Sequence, residues 1–207
     1  MKLSTAVTIA CVAIASSANA ATDSISVNDM SFRDADGNRV QQLMTVVSAP
    51  VSDVWGAFTT DDGFKRWAVP VAHITLANDG MMESSYNIHS KIGDPENIRN
   101  RIVAYIPQRL LILQNAHVPK GAPFDPVLIA TLRTIITFEV VDPTHTRVTE
   151  AQVGYGVGAG YDAMYEHFRS GNTYSLHELA QSFLTGPVDW VAEAARANAS
   201  IDKSTSH

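Results

Sequence analysis

Residues 161–184, YDAMYEHFRSGNTYSLHELAQSFL, decide the fold. Tyr161, Tyr165, Phe168, Asn172, Leu176, Leu179 and Phe183 fall at i, i+4, i+7, i+11, i+15, i+18 and i+22, which is one face of a long α-helix. That face is apolar except at Asn172. A polar residue there marks either a register shift or a space that holds something polar. Gly186-Pro187 ends the pattern. Beyond it, residues 188–198 suggest a further short helix around Trp190 and Val191, and Ser200 to His207 reads as a loose, flexible tail.

Upstream of the helix the chain reads almost entirely as strands. Runs at His73 to Leu76, Met81 to Ile88, Ile98 to Ile106, Leu110 to Val118, Thr131 to Val141 and Arg147 to Tyr155 are rich in β-branched and aromatic residues. Asn78-Asp79-Gly80, Ile106-Pro107-Gln108-Arg109 and Asp142-Pro143-Thr144-His145 are short enough to join antiparallel neighbours, so one continuous meander is expected. The exception is Pro119 to Ala130, where Pro119, Pro123 and Pro126 forbid a central strand and leave a long loop able to close over something. Ahead of the meander, Val40 to Val47 reads as a strand stopped by Ala49-Pro50. Val51, Val54, Trp55 and Phe58 then give a helical face, and Gly63 to Ala68 a second short helix presenting Phe64 and Trp67. Residues 21–38 read as a leader segment, a short strand and a loop.

The 207 residues, 45% hydrophobic and 17% charged, suit one globular domain with room for an internal cavity as well as a core. At the N-terminus, Lys2, an apolar stretch from Leu3 to Ala15 and the small-x-small pattern Ala18-Asn19-Ala20 read as a signal peptide over residues 1–20, cleaved after Ala20. A periplasmic or secreted location is therefore expected, with no stable membrane insertion after signal removal. Cys11, the single cysteine, lies inside that signal, so the mature chain would have no disulfide, no thiol nucleophile and no Cys-ligated zinc. With Lys2 removed, 21 acidic residues stand against 14 basic ones, a net charge of −7. Lys and Arg form no patch, which argues against a nucleic-acid partner.

A strand, two short helices, a curved antiparallel sheet and one long C-terminal helix form an α+β, helix-grip layout, and the chain resembles the START-like, or SRPBCC, superfamily. Particular residues carry a narrower resemblance to its heat-shock ATPase activator homologue branch. Ser48-Ala49-Pro50-Val51 with Val54-Trp55 and Phe58-Thr59, then Phe64-Lys65-Arg66-Trp67, is similar to the opening of that branch. Tyr105-Ile106-Pro107-Gln108-Arg109-Leu110 resembles its mid-sheet proline turn, and Phe138 to Tyr155 its Thr-Arg-Val strand ending in Gly-Tyr. Phe168-Arg169-Ser170-Gly171-Asn172 resembles its Phe-x-x-Gly-Trp helix, with Asn172 in place of the usual Trp. The resemblance places the domain at residues 39–185, followed by a partly helical extension over 186–207. It implies an apolar cavity between sheet and helix, hence a container for a small hydrophobic or amphipathic molecule. Namesakes of the branch regulate a chaperone ATPase, a role at odds with the expected export; no protein partner is named by the residues.

Several motifs are weighed and set aside. Gly154-Tyr155-Gly156-Val157-Gly158-Ala159 matches the dinucleotide fingerprint, but that motif needs a following parallel strand with an acidic residue, and none follows. The glycines instead let a strand turn sharply into the long helix. The seven histidines lack metal-binding spacing, His167 and His177 being about 15 Å apart along one helix, so neither a metal nor another cofactor is expected. No Gly-x-Ser-x-Gly elbow supports a serine nucleophile.

Glu150 is the residue of interest. If Val148 faces inward, Glu150 and Gln152 face the same way, at positions where the resembled family favours apolar residues. Glu150 is then either a ligand anchor or proton-transfer group with a raised pKa, or an edge residue that a strand twist turns toward water. Tyr86, Asn115, Tyr165, Arg99 and Arg101 are polar candidates for the cavity or for solvated faces. Trp67, Phe138 and Phe168 are lining candidates or plain core. A ligand-binding site of Trp67, Tyr86, Asn115, Phe138, Glu150, Tyr165, Phe168 and Asn172 is thus expected. The alternative is a cyclase- or dehydratase-type enzyme using the same cavity, with Glu150 as general base.

Overall fold

The computed structural model describes residues 25–196. The expected signal peptide, its cleavage site and the tail from Ser200 lie outside the described residues. Two short strands, β1 (Asn28–Asp29) and β2 (Phe32–Arg33), both pair with β3 (Arg39–Val47), where one leader strand was expected. Helix α1 (Val51–Thr59) follows, then α2 (Asp61–Lys65). The second helix starts earlier than the Gly63 expected from its aromatic residues. Thr60 caps it, its hydroxyl accepting from Gly63 N at 3.0 Å, and Asp61 and Asp62 suit the positive end of the first turn.

Strands β4 (Val71–Ile74), β5 (Met81–Ser85), β6 (Ile98–Ile106), β7 (Leu110–His117), β8 (Arg133–Asp142) and β9 (His145–Val153) form the expected antiparallel meander. Strand β4 sits two residues earlier than expected. Strand β5 stops at Ser85 because Ser85 Oγ accepts from Asn87 N at 3.2 Å and Asn87 Oδ1 from His89 N at 3.0 Å, bending the chain out of the ladder. The sheet order β1-β3-β9-β8-β7-β6-β5-β4 places β3 beside β9, so β9 is flanked on both sides.

The Pro119–Ala130 segment contains a short helix, α3 (Pro126–Ile129), where only a loop was expected. Asp125 caps it by accepting from Val127 N at 2.8 Å, with proline at its first position. Strand β9 leads into the long helix α4 (Ala159–Thr185), which packs across β3. Gly154, at φ +98°, makes the exit from β9; a Cβ there would stand 2.3 Å from Thr131 O, so only glycine fits. After α4, Val188 N donates to Arg66 O at 2.9 Å and residues 190–196 are helical.

This is the expected helix-grip arrangement, a curved antiparallel sheet holding a long C-terminal helix, with two short helices after the strand that begins the main sheet. Leu176, Leu179 and Ala180 of α4 close onto Leu43, Val47, Val148 and Ile102 in the main core. Toward the start of α4, Tyr161, Tyr165, Phe168 and Asn172 remain partly accessible. The second half of the helix therefore seals the main core, while the first half packs Met164 into a second cluster with Ile129, Leu132 and Tyr155 and sets Phe168 and Asn172 beside a space between helix and sheet.

Candidate ligand-binding cavity

That space is a cavity of about 260 Å³. Its apolar wall is built by Phe58, Phe64 and Trp67 from the α1–α2 region, Leu113 of β7, Ile136 of β8 and Phe168 of α4. The loop around α3 closes one end with Ile129 and Leu132, and Phe124 stacks on Phe168 with ring centres 5.9 Å apart. Of the Pro119–Ala130 segment, Ile129 is the residue that reaches this cavity.

The polar wall comes from strand alternation. On β9, Thr146, Val148 and Gln152 are buried, which sets Glu150 on the inward face. Its register partners are Leu43 of β3 and Ile136 of β8, both buried, so β9 is no edge strand and the water-facing reading of Glu150 does not hold. The surface that Glu150 retains faces the cavity. Burial alone raises its carboxyl to about 7, and no hydrogen bond or ion pair among the described residues offsets that cost.

Around Glu150 several of the other polar groups pair with one another. Asn172 Nδ2 donates to Gln41 Oε1 at 2.9 Å, and Gln41 Nε2 donates to Tyr165 O at 3.2 Å. The Tyr155 hydroxyl donates to Gln152 Oε1, while Gln152 Nε2 donates to Thr134 Oγ1 at 3.3 Å. Asn115 Nδ2 reaches Asn100 Oδ1 at 3.3 Å across the β6–β7 pair. Burial pushes the Tyr155 phenol well above its usual range, so it stays a neutral donor.

Of the residues singled out from the sequence, Trp67, Tyr86, Asn115, Glu150, Phe168 and Asn172 come together on this cavity. Phe138 and Tyr165 do not line it. Phe138 pairs with Val148 in register and packs edge-on against Trp55 and Phe58 at 5.3 and 5.2 Å, which makes it core beneath α1. Tyr165 packs on Tyr155 at 5.1 Å and under the Arg39 guanidinium at 5.1 Å. Arg99 reaches Asp94 O and Glu83, and Arg101 reaches Asp79 and Gln114, so neither enters the cavity. Gln41 and Thr134 were not foreseen. For Gln41 the signal was available, because it shares parity with Leu43, Thr45 and Val47 on β3.

The cavity continues into an outer groove bounded by Trp67, Tyr86, Phe168, Asn172, Glu178 and Trp190. Tyr86, 69% exposed, stands at the junction. Trp190 closes the far side, its indole N–H donating to Lys65 O at 2.6 Å. Among the described residues no three His, Cys, Asp or Glu gather in a metal-holding group, and no helix is long and apolar enough to cross a membrane.

The family model for activator of Hsp90 ATPase homolog 1-like proteins matches residues 48–183. No curated protein matches the chain. Among solved structures, the Aha1 dimer from Colwellia psychrerythraea superposes with a TM-score of 0.52 at 17% identity, over 71% of this chain and 97% of that one. CalU16 from Micromonospora echinospora gives 0.55 at 17% identity, over 82% and 79%. The protein XoxI from Bacillus cereus gives 0.53 at 15% identity, over 70% and 96%. At these identities the likeness is one of fold.

Proposed function

The chain belongs to the family of activator of Hsp90 ATPase homolog 1-like proteins, and on that premise we propose that it is an exported container for one small hydrophobic or amphipathic molecule, held between the sheet and the first half of α4. The observation that carries this reading is the cavity itself: apolar on the α1–α2 side, polar along β9, and joined to the surface past Tyr86. At about 260 Å³ it falls just under the roughly 300–1,000 Å³ range of ligand pockets, which suits a one- or two-ring body or the end of a longer chain. Affinity comes from apolar burial at about 25 cal/mol per Å², less the cost of immobilising the ligand. Glu150 and the neighbouring amides orient the polar end. The export half of the proposal rests on Lys2, the apolar run to Ala15 and Ala18-Asn19-Ala20.

Displacement of an environment-sensitive naphthalene dye, followed by energy transfer from Trp67, tests the container. One saturable site per chain is expected. Dye binding that is unsaturable, or unchanged when the cavity is filled by substitution, would remove the reading.

A second reading is supported by the carboxyl of Glu150 standing near neutrality inside the cavity. A cyclase or dehydratase needs positioning and one proton shuttle more than a covalent nucleophile, and Glu150 would serve as its general base. Glu150→Gln separates the two readings: lost turnover with retained binding marks an enzyme, and the container requires no turnover at all.

A further inference from the structure

We propose that the cavity selects a ligand bearing one basic nitrogen, whose cation pairs with the Glu150 carboxylate while its aromatic or aliphatic body lies against Phe58, Trp67 and Phe168. This rests on the container reading and specifies the polar end of its ligand.

Three observations converge. Among the described residues Glu150 is the one carboxyl on the cavity wall, and no Lys, Arg or His side chain among them lines that wall to answer it. The surrounding amides are partly engaged, Asn172 donating to Gln41, Gln152 to Thr134 and Asn115 to Asn100, whereas the Glu150 carboxyl accepts no hydrogen bond among the described residues. The opposite wall is aromatic, and ring faces attract a cation where water is excluded.

The ligand classes then separate by charge. A carboxylate ligand would place two acids in one apolar space with no cation between them, which forces a proton onto one of them. A neutral ligand leaves the buried carboxyl uncompensated unless it, too, takes a proton. An ammonium or similar cation restores the ionised carboxylate and offsets the desolvation of both partners. An isolated buried acid is costly to keep, and a cationic ligand relieves that cost.

Groups facing Glu150 from each neighbouring element support the assignment. Strand β3 presents Leu43 and Gln41, strand β8 presents Ile136 and Thr134, and the α1–α2 region presents Phe58, Phe64, Trp67, Ala68 and Val69, none of them ionisable. Tyr86 and Tyr155 lie within its electrostatic reach and are neutral near pH 7. Arg39 is occupied by Asp162 and Tyr165. In the outer groove α4 contributes His167 and Glu178, the latter beside His177, and the 190–196 helix contributes Glu193, paired with Arg196. Among the described residues no Lys or Arg side chain lines the path inward.

Calorimetric titration of the full chain and of Glu150→Gln with naphthylethylamine, naphthylethanol and naphthylacetate tests the inference. The amine is expected to bind the native protein at least about tenfold more tightly than the alcohol at pH 8. Because only the ionised acid pairs, its affinity is expected to fall about thirtyfold from pH 8 to pH 5.5, while the alcohol changes little. Glu150→Gln is expected to retain the alcohol and lose both the amine preference and the pH slope. Should that variant misfold, the slope in the native protein still decides. Equal binding of amine and alcohol at every pH, or a preference for the acetate, overturns the inference and leaves the container standing. Binding of none of the three overturns both.

Discussion

Asn172, midway along α4, donates a 2.9 Å hydrogen bond to Gln41 on β3, and this bond ties the helix to the sheet where the closed core gives way to the cavity. The Phe-x-x-Gly-Trp motif that Phe168 to Asn172 resembles ends in Trp where this chain has Asn172. An indole would occupy the space that Asn172 leaves between the inner cavity and the outer groove, both of which it lines. Asn172→Trp is therefore expected to abolish dye and ligand binding while leaving the far-UV circular dichroism unchanged. Undiminished binding would show that the ligand lies elsewhere.

The same bond makes a stability prediction. Removing Asn172 alone leaves the buried Gln41 carbonyl without its donor, at a cost of about 1–3 kcal/mol. Asn172→Leu is expected to lower the unfolding free energy, read from urea denaturation, by that amount. The double variant Gln41→Leu/Asn172→Leu should be less destabilised than the sum of the single changes, since both unpaired groups are then gone. Strict additivity in the denaturation series would deny the coupling.

Glu150 links stability to pH in the direction opposite to a salt-bridged acid. Its folded-state pKa of about 7 lies above the ordinary glutamate value of 4.5, so between those values the folded chain holds the proton more tightly than the unfolded one. Its contribution is fully present below pH 4.5 and is lost as pH rises through 7, by about 3 kcal/mol at most. Thermal melts of Glu150→Gln minus those of the native protein should show a difference that grows by several degrees from pH 4.5 to pH 8. A flat difference would mean that the carboxyl is solvated.

Trp190 anchors the segment that covers the outer groove, through Lys65 O and with the nearby Val188–Arg66 backbone bond. Trp190→Ala is expected to quicken ligand release several-fold in stopped-flow displacement. The cost in global stability should be only about 1–2 kcal/mol, because this side chain is only partly buried. Unchanged release would remove the segment from any role at the cavity mouth.

Much of this was legible in the chain, for reasons that differ between elements. The α4 stripe and the meander declare themselves because helical and strand periodicities persist over many residues there. Boundaries set by single side chains did not: the Thr60 cap starts α2 early, and the Ser85 and Asn87 turns cut β5 short. At the site, Trp67, Asn172 and Phe168 were readable because sequence pattern fixes their faces. Phe138 and Tyr165 share those faces, yet lie along their elements where neighbours have already closed in, and periodicity carries no information about depth. Glu150 turned on strand order, since only the placement of β3 beside β9 makes β9 central.

Whether the space beneath α4 holds a small molecule is read out by native mass spectrometry of the protein purified from the cell that makes it. Denaturing extraction of the same sample then identifies what is released. A one-to-one adduct of small mass is expected, lost on denaturation and absent from Asn172→Trp. A bare mass in both proteins, with no saturable binding of any naphthalene probe, would contradict it.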